Sequence, residues 1–179
     1  MQVASRRIYS GRVVNLDVDT ARFPDGSTGE LEMIRHPGAA AVLPFLSDPR
    51  GPDPAVLLIR QYRYATGGPL LEIPAGRLER GEDPAVCARR ELLEEAGVEA
   101  GQVEPLTTIW TTPGFTDERI HLFWAADLKT RTTAREPDEF IEVVTKPLAE
   151  ALTMVRDGAI RDGKTVVAIL YMAGFVLGL

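Results

Sequence analysis

The sequence predicts an α/β fold, a mixed sheet packed between helices, and three observations predict it. Strand-like runs recur along the chain, one stretch carries both start and stop signals of a helix, and two further helical segments close the C-terminal end. At 179 residues the chain has the length of one domain with a core of its own.

The elements follow in order. Arg12 to Phe23 alternates apolar Val14, Leu16 and Val18 with polar Asn15, Asp17 and Asp19, as a half-buried strand does. Pro24-Asp25-Gly26 supplies a turn, and Leu31 to Arg35 is the return strand of an N-terminal antiparallel arm. After His36-Pro37-Gly38 the apolar run Ala39 to Leu46 reads as a buried strand. Ser47 to Pro54, rich in proline, is a surface loop. Ala55 to Arg63 and Leu70 to Ile73 are the next strands. Asp83 caps a helix that Pro84 begins and Gly97 ends, with Ala85, Ala88, Leu92 and Ala96 as its buried stripe. Strands return at Val103 to Thr111, Arg119 to Ala126 and Phe140 to Val144, before helical segments at Leu148 to Asp157 and Lys164 to Leu177. The organisation expected is one domain: an arm (1–36), a core (37–165) and a C-terminal helix (166–179).

Composition narrows the function. Acidic residues outnumber basic ones, 26 against 20, and the net charge of −6 argues against nucleic acid as partner. The single cysteine, Cys87, allows no intrachain disulfide. The first twelve residues lack the apolar run of a signal peptide, and Val166 to Leu179 is too short to span a bilayer, so a cytoplasmic protein with no membrane partner is expected.

The chemistry concentrates in Gly76 to Val98. Glu91, Glu94 and Glu95 stand at i, i+3 and i+4, along one helical face, where like charges repel. A divalent cation reverses that penalty, because Mg²⁺ and Mn²⁺ take carboxylate and carbonyl oxygens. The alternative is an ordinary solvated face with Arg90–Glu94 pairing. Against it stands the whole pattern: Gly76, Glu82, Arg90, Glu91, Glu94, Glu95 and Gly97 at fixed offsets coincide by chance in roughly one window in 10⁸.

These residues, with Leu92 and Val98, fill every defined position of G-x5-E-x7-R-E-U-x-E-E-x-G-U, U being aliphatic, and the chain therefore resembles the Nudix hydrolases. The resemblance implies an α/β/α sandwich with a mixed central sheet and a loop–helix–loop metal site holding Mg²⁺ or Mn²⁺, two or more ions per site. It implies Glu91 and Glu95 as direct ligands, Glu94 as a further ligand or orienting group, and the Ala75 carbonyl as a contributor. It implies Glu82 and Arg90 as a bracing ion pair, with Gly76 and Gly97 structural in the loop. Metal-activated water would split a diphosphate, helped by a further carboxylate as base.

Features outside that stretch point to the ADP-ribose pyrophosphatase branch. Pro113 lies sixteen residues beyond Gly97, and Thr112 to Glu118 resembles that branch's substrate loop, with Thr112, Gly114 and Glu118 as contacts and Glu118 on the terminal ribose. The alternative for this segment is a plain Pro-Gly turn. Glu139 matches the branch's proposed base, with Glu136 in reserve. Arg63 is the expected phosphate-facing cation, since a guanidinium forks onto phosphate oxygens. His36, His121 and Cys87 have no task in this chemistry and are read as packing residues, and Glu72 is left without a role. The N-terminal strands match an arm exchanged between subunits in this branch, so a homodimer is expected.

The expected activity is hydrolysis of ADP-ribose to AMP and ribose 5-phosphate. The alternatives are another nucleoside diphosphate sugar such as GDP-mannose, or a Nudix module that senses ADP-ribose without cleaving it. An isoprenoid diphosphate isomerase would need a catalytic cysteine outside the helix. A nucleoside triphosphate sanitiser fits poorly with the arm.

Overall fold

The computed structural model describes residues 1–131 and 140–179. Glu139 and the reserve Glu136 lie outside the described residues. The strands are β1 (Gln2–Ser10), β2 (Asn15–Arg22), β3 (Thr28–Arg35), β4 (Ala39–Pro44), β5 (Ala55–Arg63), β6 (Gly68–Glu72), β7 (Ala75–Arg77), β8 (Val98–Trp110), β9 (Arg119–Thr130) and β10 (Ile141–Pro147). The helices are α1 (Pro84–Ala96), α2 (Leu148–Arg156) and α3 (Gly163–Tyr171), the last continuing as a π-helical turn through Leu177.

β4 is the organising strand. It pairs parallel to β9 and antiparallel to β7 in a sheet of order β7-β4-β9-β8, and every one of its residues is buried. Its alternation divides the core. Ala39, Ala41 and Leu43 join Val56 and Leu58 of β5 against Leu148 and Ala151 of α2 and Ala168 and Ile169 of α3. Ala40 and Val42 join Leu57 and Ile59 of β5 against Cys87, Ala88, Leu92 and Ala96 of α1. A strand buried on both faces loses the polar alternation of a solvated one, which is why Ala39 to Pro44 reads as an unbroken apolar run. β5 lies between β10 and β6 in a second, antiparallel sheet. The result is the expected α/β/α sandwich, α1 on one side and α2 with α3 on the other.

α1 is fixed at both ends. Asp83 accepts from the Ala85 and Val86 amides at 2.8 and 3.4 Å, Pro84 needs no donor at the first position, and Gly97 takes φ +66° while its N–H closes on the Leu93 carbonyl.

The arm is a separate antiparallel sheet of order β1-β2-β3. All nine residues of β1 are exposed, Val3, Ile8 and Tyr9 among them, as is Leu31 on β3. Its strand-like link to the body is a parallel bridge between Ile34 and Thr116, beside side-chain contacts at the same junction. Three expectations about extent are corrected. The arm has an extra outer strand, β1, because β2 needs a partner on its far edge. β8 and β9 run longer than expected because their ladder continues through polar residues. The terminal segment is α-helical only to Tyr171. Among the described residues no helix is long and apolar enough to cross a membrane.

Leu92 is fully buried at the face where α1 meets β4. Leu92→Ala is expected to cost about 2–5 kcal/mol, a truncation plus the cavity it leaves. Chemical denaturation followed by circular dichroism measures it.

Candidate functional site

The inner face of α1 buries acid as well as apolar side chains. Glu91 is 8% and Glu95 2% exposed, both on the same face as Cys87, Ala88 and Leu92. The solvated-face alternative is thereby excluded for these two. β7 runs directly beneath them. The Ala75 amide donates to Glu95 Oε2 at 2.9 Å, and a Cβ built on Gly76 would stand 1.8 Å from Glu91 Oε1. Any side chain at position 76 would occupy the space this carboxylate takes. Cys87 packs at the same crossing, its Sγ 3.6 Å from the Gly76 and Arg77 carbonyls, and burial pushes its thiol up to about 12, which suits a packing residue and not a nucleophile.

Arg90 gathers the remaining acids. Its Nε and Nη2 donate to Glu82 at 3.0 Å each, its Nη1 to Glu91 at 2.6 Å and to Glu94 at 3.1 Å, and Nη2 also to the Arg77 carbonyl at 3.1 Å. Glu82 in turn accepts from the Glu79 amide at 2.9 Å, so one ion pair closes the loop between β7 and α1. The Arg90 hydrogen bonds hold the Glu82 carboxyl down at about 2.

A second set of charges adjoins the first: Arg63, expected from the sequence to face phosphate, with Glu72 and Lys164, to which sequence reasoning assigned no role. Glu72 at the end of β6 is 1% exposed. Arg63 holds it through two parallel bonds of 2.8 Å, and Lys164 on the first turn of α3 reaches it at 2.5 Å. Burial alone would push the Glu72 carboxyl up, but the two cations more than offset this and hold it below its ordinary value. Lys164 also pairs with Asp162 at 3.0 Å, and Asp162 caps α3 by accepting from the Thr165 amide. Thr165 Oγ1 accepts from the Ile73 amide at 2.9 Å. The chain from Glu72 to Gly76 is thus gripped from α3 at one end and from α1 at the other. The hydrogen bonds to Glu72 raise the pKa of Arg63, and Glu95 lies close enough to add to that rise.

The Thr112 to Glu118 loop lies beyond this cluster. The Thr112 carbonyl accepts from the Phe115 and Thr116 amides at 3.2 and 3.1 Å, which makes the turn, and no atom comes within 4 Å of a Cβ at Gly114. Glu118 accepts from Thr111 Oγ1 at 2.8 Å. A cavity of about 550 Å³ opens between this loop and the start of α3, lined by Trp110, Thr111, Glu118, Asp162, Lys164 and Val167. Lys164 therefore touches both the loop's cavity and the Glu72 pair. His36 Nδ1 accepts from the Gly38 amide at 3.1 Å, while His121 packs on Thr108 with its pKa lowered, first by burial.

The donors that a divalent cation would meet are all oxygens: Glu91, Glu94, Glu95 and the backbone of Ala75. That is the chemistry Mg²⁺ and Mn²⁺ select, and the missing Cβ at Gly76 gives Glu91 its place beside that backbone. Among the described residues no three acidic, histidine or cysteine side chains converge as a ready-made cage. Glu91 and Glu94 both lean on Arg90 instead.

A model of the NUDIX domain matches residues 35–167. The chain is 42% identical to a methanol dehydrogenase activator of Bacillus methanolicus over 172 residues, 95% of this chain and 90% of that one. Over the same shares it is 38% identical to an ADP-ribose pyrophosphatase of Bacillus subtilis (strain 168). A solved structure of an ADP compounds hydrolase superposes with a TM-score of 0.83, covering 99% of this chain and 94% of that one, at 21% identity, a likeness of fold.

Because its folded pKa is depressed, the Glu82–Arg90 pair stabilises the fold above the ordinary value of 4.5 and loses that contribution as pH falls towards about 2. Glu82→Gln is therefore expected to be less stable than the unaltered protein at pH 7. The gap should narrow steadily between pH 4.5 and 2 in denaturant titrations; a gap independent of pH would remove this role.

Proposed function

This chain belongs to the NUDIX domain family, and from that premise we propose that it hydrolyses the diphosphate of a nucleoside diphosphate sugar, ADP-ribose being the substrate its loops fit best. The observation that carries the proposal is the pair of buried carboxylates, Glu91 and Glu95, set on the backbone of Ala75 and Gly76. A purely packing face would not bury two acids there. A module that only sensed ADP-ribose would have no use for them.

Glu91, Glu95, Glu94 and the Ala75 carbonyl would hold Mg²⁺ or Mn²⁺, two or more ions in this proposal. A bound divalent cation supplies charge to draw phosphate oxygens in and makes water a better nucleophile. The chain's own residues do the rest. Arg63 spends two of its five donors on Glu72, leaving others for a phosphate oxygen. Glu72 fixes that guanidinium against rotation. Glu118, with Thr112 and Gly114 shaping its loop, accepts from vicinal hydroxyls of the terminal ribose in the adjoining cavity. Glu139 takes the proton of the attacking water as one P–O bond of the bridge breaks, giving AMP and ribose 5-phosphate. Glu82 and Arg90 keep the loop closed, and Gly97 ends the helix that carries the acids.

The exposed apolar residues of the arm support a homodimer. A three-stranded sheet with Val3, Ile8, Tyr9 and Leu31 in solvent is a surface that a second copy would cover. The soluble setting expected for such a dimer is the cytoplasm.

Phosphatase-coupled assays with Mg²⁺ or Mn²⁺ on ADP-ribose, GDP-mannose, NADH and diadenosine polyphosphates test the activity. ADP-ribose is expected to give the highest kcat/KM, and no turnover on any of the four sinks the proposal. Glu95→Gln should lower kcat at least about a hundredfold through loss of metal. Glu139→Gln should lower it about 10²–10⁴-fold with KM little changed, and full turnover in that variant would place the base elsewhere. For the arm, Ile8→Glu combined with Val3→Glu is expected to shift the mass in light scattering from dimer to monomer; an unaltered chain that is already a monomer refutes it.

A further inference from the structure

At the junction of arm and body one guanidinium binds three carboxylates. Arg35, the last residue of β3, donates from Nε to Asp17 at 3.1 Å and from Nη2 to Asp19, both on β2 of the arm. From Nη1 it donates to Asp117 Oδ2 at 3.2 Å, across to the loop that carries Glu118. Asp117 is held from the same side by its other oxygen, which accepts from the His36 amide at 2.8 Å. The backbone reinforces the clip. The Ile34 amide donates to the Phe115 carbonyl at 2.7 Å, and the Asp117 amide to the Ile34 carbonyl at 3.3 Å. Asp17 and Asp19 are themselves buried, and Arg7 also binds Asp17.

Asp117 and Glu118 are neighbours with opposite tasks. Asp117 faces the arm, and Glu118 lines the cavity beside Thr111. His36 Nδ1 lies 3.5 Å from Glu118 Oε1 and 3.1 Å from the Gly38 amide, so the residue that follows Arg35 also stands beside Glu118. Beside its contacts with Thr111, Thr116 and His36, Glu118 is placed through its own backbone by Asp117, and from there by Arg35.

We propose that Arg35 is a positioning residue for the sugar loop: through Asp117 it fixes Glu118, so the seating of the arm on Asp17 and Asp19 sets how well the cavity receives the terminal sugar of the substrate. The inference rests on the functional reading of Glu118 given above. It assigns Arg35 and Asp117 no contact with substrate. Their effect reaches the reaction only through the carboxylate beside them, and it should fall on binding and not on bond breaking.

A double-mutant cycle tests this with ADP-ribose as substrate. Arg35→Met and Asp117→Asn should each raise KM about tenfold, the worth of one charge-assisted hydrogen bond, with kcat within about twofold. Arg35→Lys should recover part of the loss. Glu118→Gln should raise KM by itself, and adding Asp117→Asn to it should raise KM by no more than about twofold further, since both act on one carboxylate. Asp117→Asn leaves Arg35 with Asp17 and Asp19, so it reports on the clip even if Arg35→Met fails to fold. An unchanged KM in Asp117→Asn, or a full tenfold step added to Glu118→Gln, overturns the inference while leaving the functional reading intact. If the unaltered chain turns over none of the four substrates named above, both fall together.

Discussion

The constraint on which the rest of the structure depends is steric: the backbone at Gly76 and the carboxylate of Glu91 compete for one space. A Cβ at 76 would lie within bonding distance of the glutamate oxygen. With glycine there, α1 can settle on β7 closely enough for Glu95 to take the Ala75 amide and for both acids to be buried. Burying two carboxylates is costly unless their oxygens are satisfied. Arg90 and the Ala75 amide do part of this, and the capped ends of α1 hold the helix in register while they do.

Charges around that crossing are arranged as two linked groups with different partners. Arg90 serves Glu82, Glu91 and Glu94 at α1, whereas Glu72 at the end of β6 is shared between Arg63 and Lys164 of α3. The segment from Glu72 to Arg77 is therefore held from both helical layers, by Lys164 and Thr165 of α3 at one end and by Glu95 and Arg90 of α1 at the other. Lys164, with Asp162 paired to it, also lines the loop's cavity, so it joins the two regions in which diphosphate and sugar are expected to lie. Electrostatics here organises backbone as much as it prepares chemistry.

Local features were legible in the sequence and long-range ones were not. The helix with Asp83, Pro84 and Gly97 at its ends, and the strand Ala55–Arg63, match their expected limits because caps and apolar runs are written in adjacent residues. β1 escaped notice because every one of its residues is exposed, which erases the period that marks a half-buried strand. The acids of α1 stood out because the residue types recur at fixed offsets. By contrast, Lys164 meets Glu72 across 92 positions and Arg35 meets Asp117 across 82, and a pair so separated leaves no pattern in a single sequence. Arg63 was read as a cation aimed at phosphate, and its fork onto Glu72 could not be seen without knowing that β5 and β6 are neighbours.

The three consecutive alanines that open β4 carry a consequence for how such a molecule can change. Ala39, Ala40 and Ala41 sit between the helical layers with almost no accessible surface, so the gap on either side is set by methyl groups. Enlarging any of them would push a layer outward and carry the acids of α1 or the lysine of α3 away from their partners. Variation that keeps the interior spacing is thereby steered to the periphery, where changes in the arm and the loop before β9 alter what the cavity receives without respacing the interior. The scaffold is thin at its centre and adaptable at its margins for the same reason.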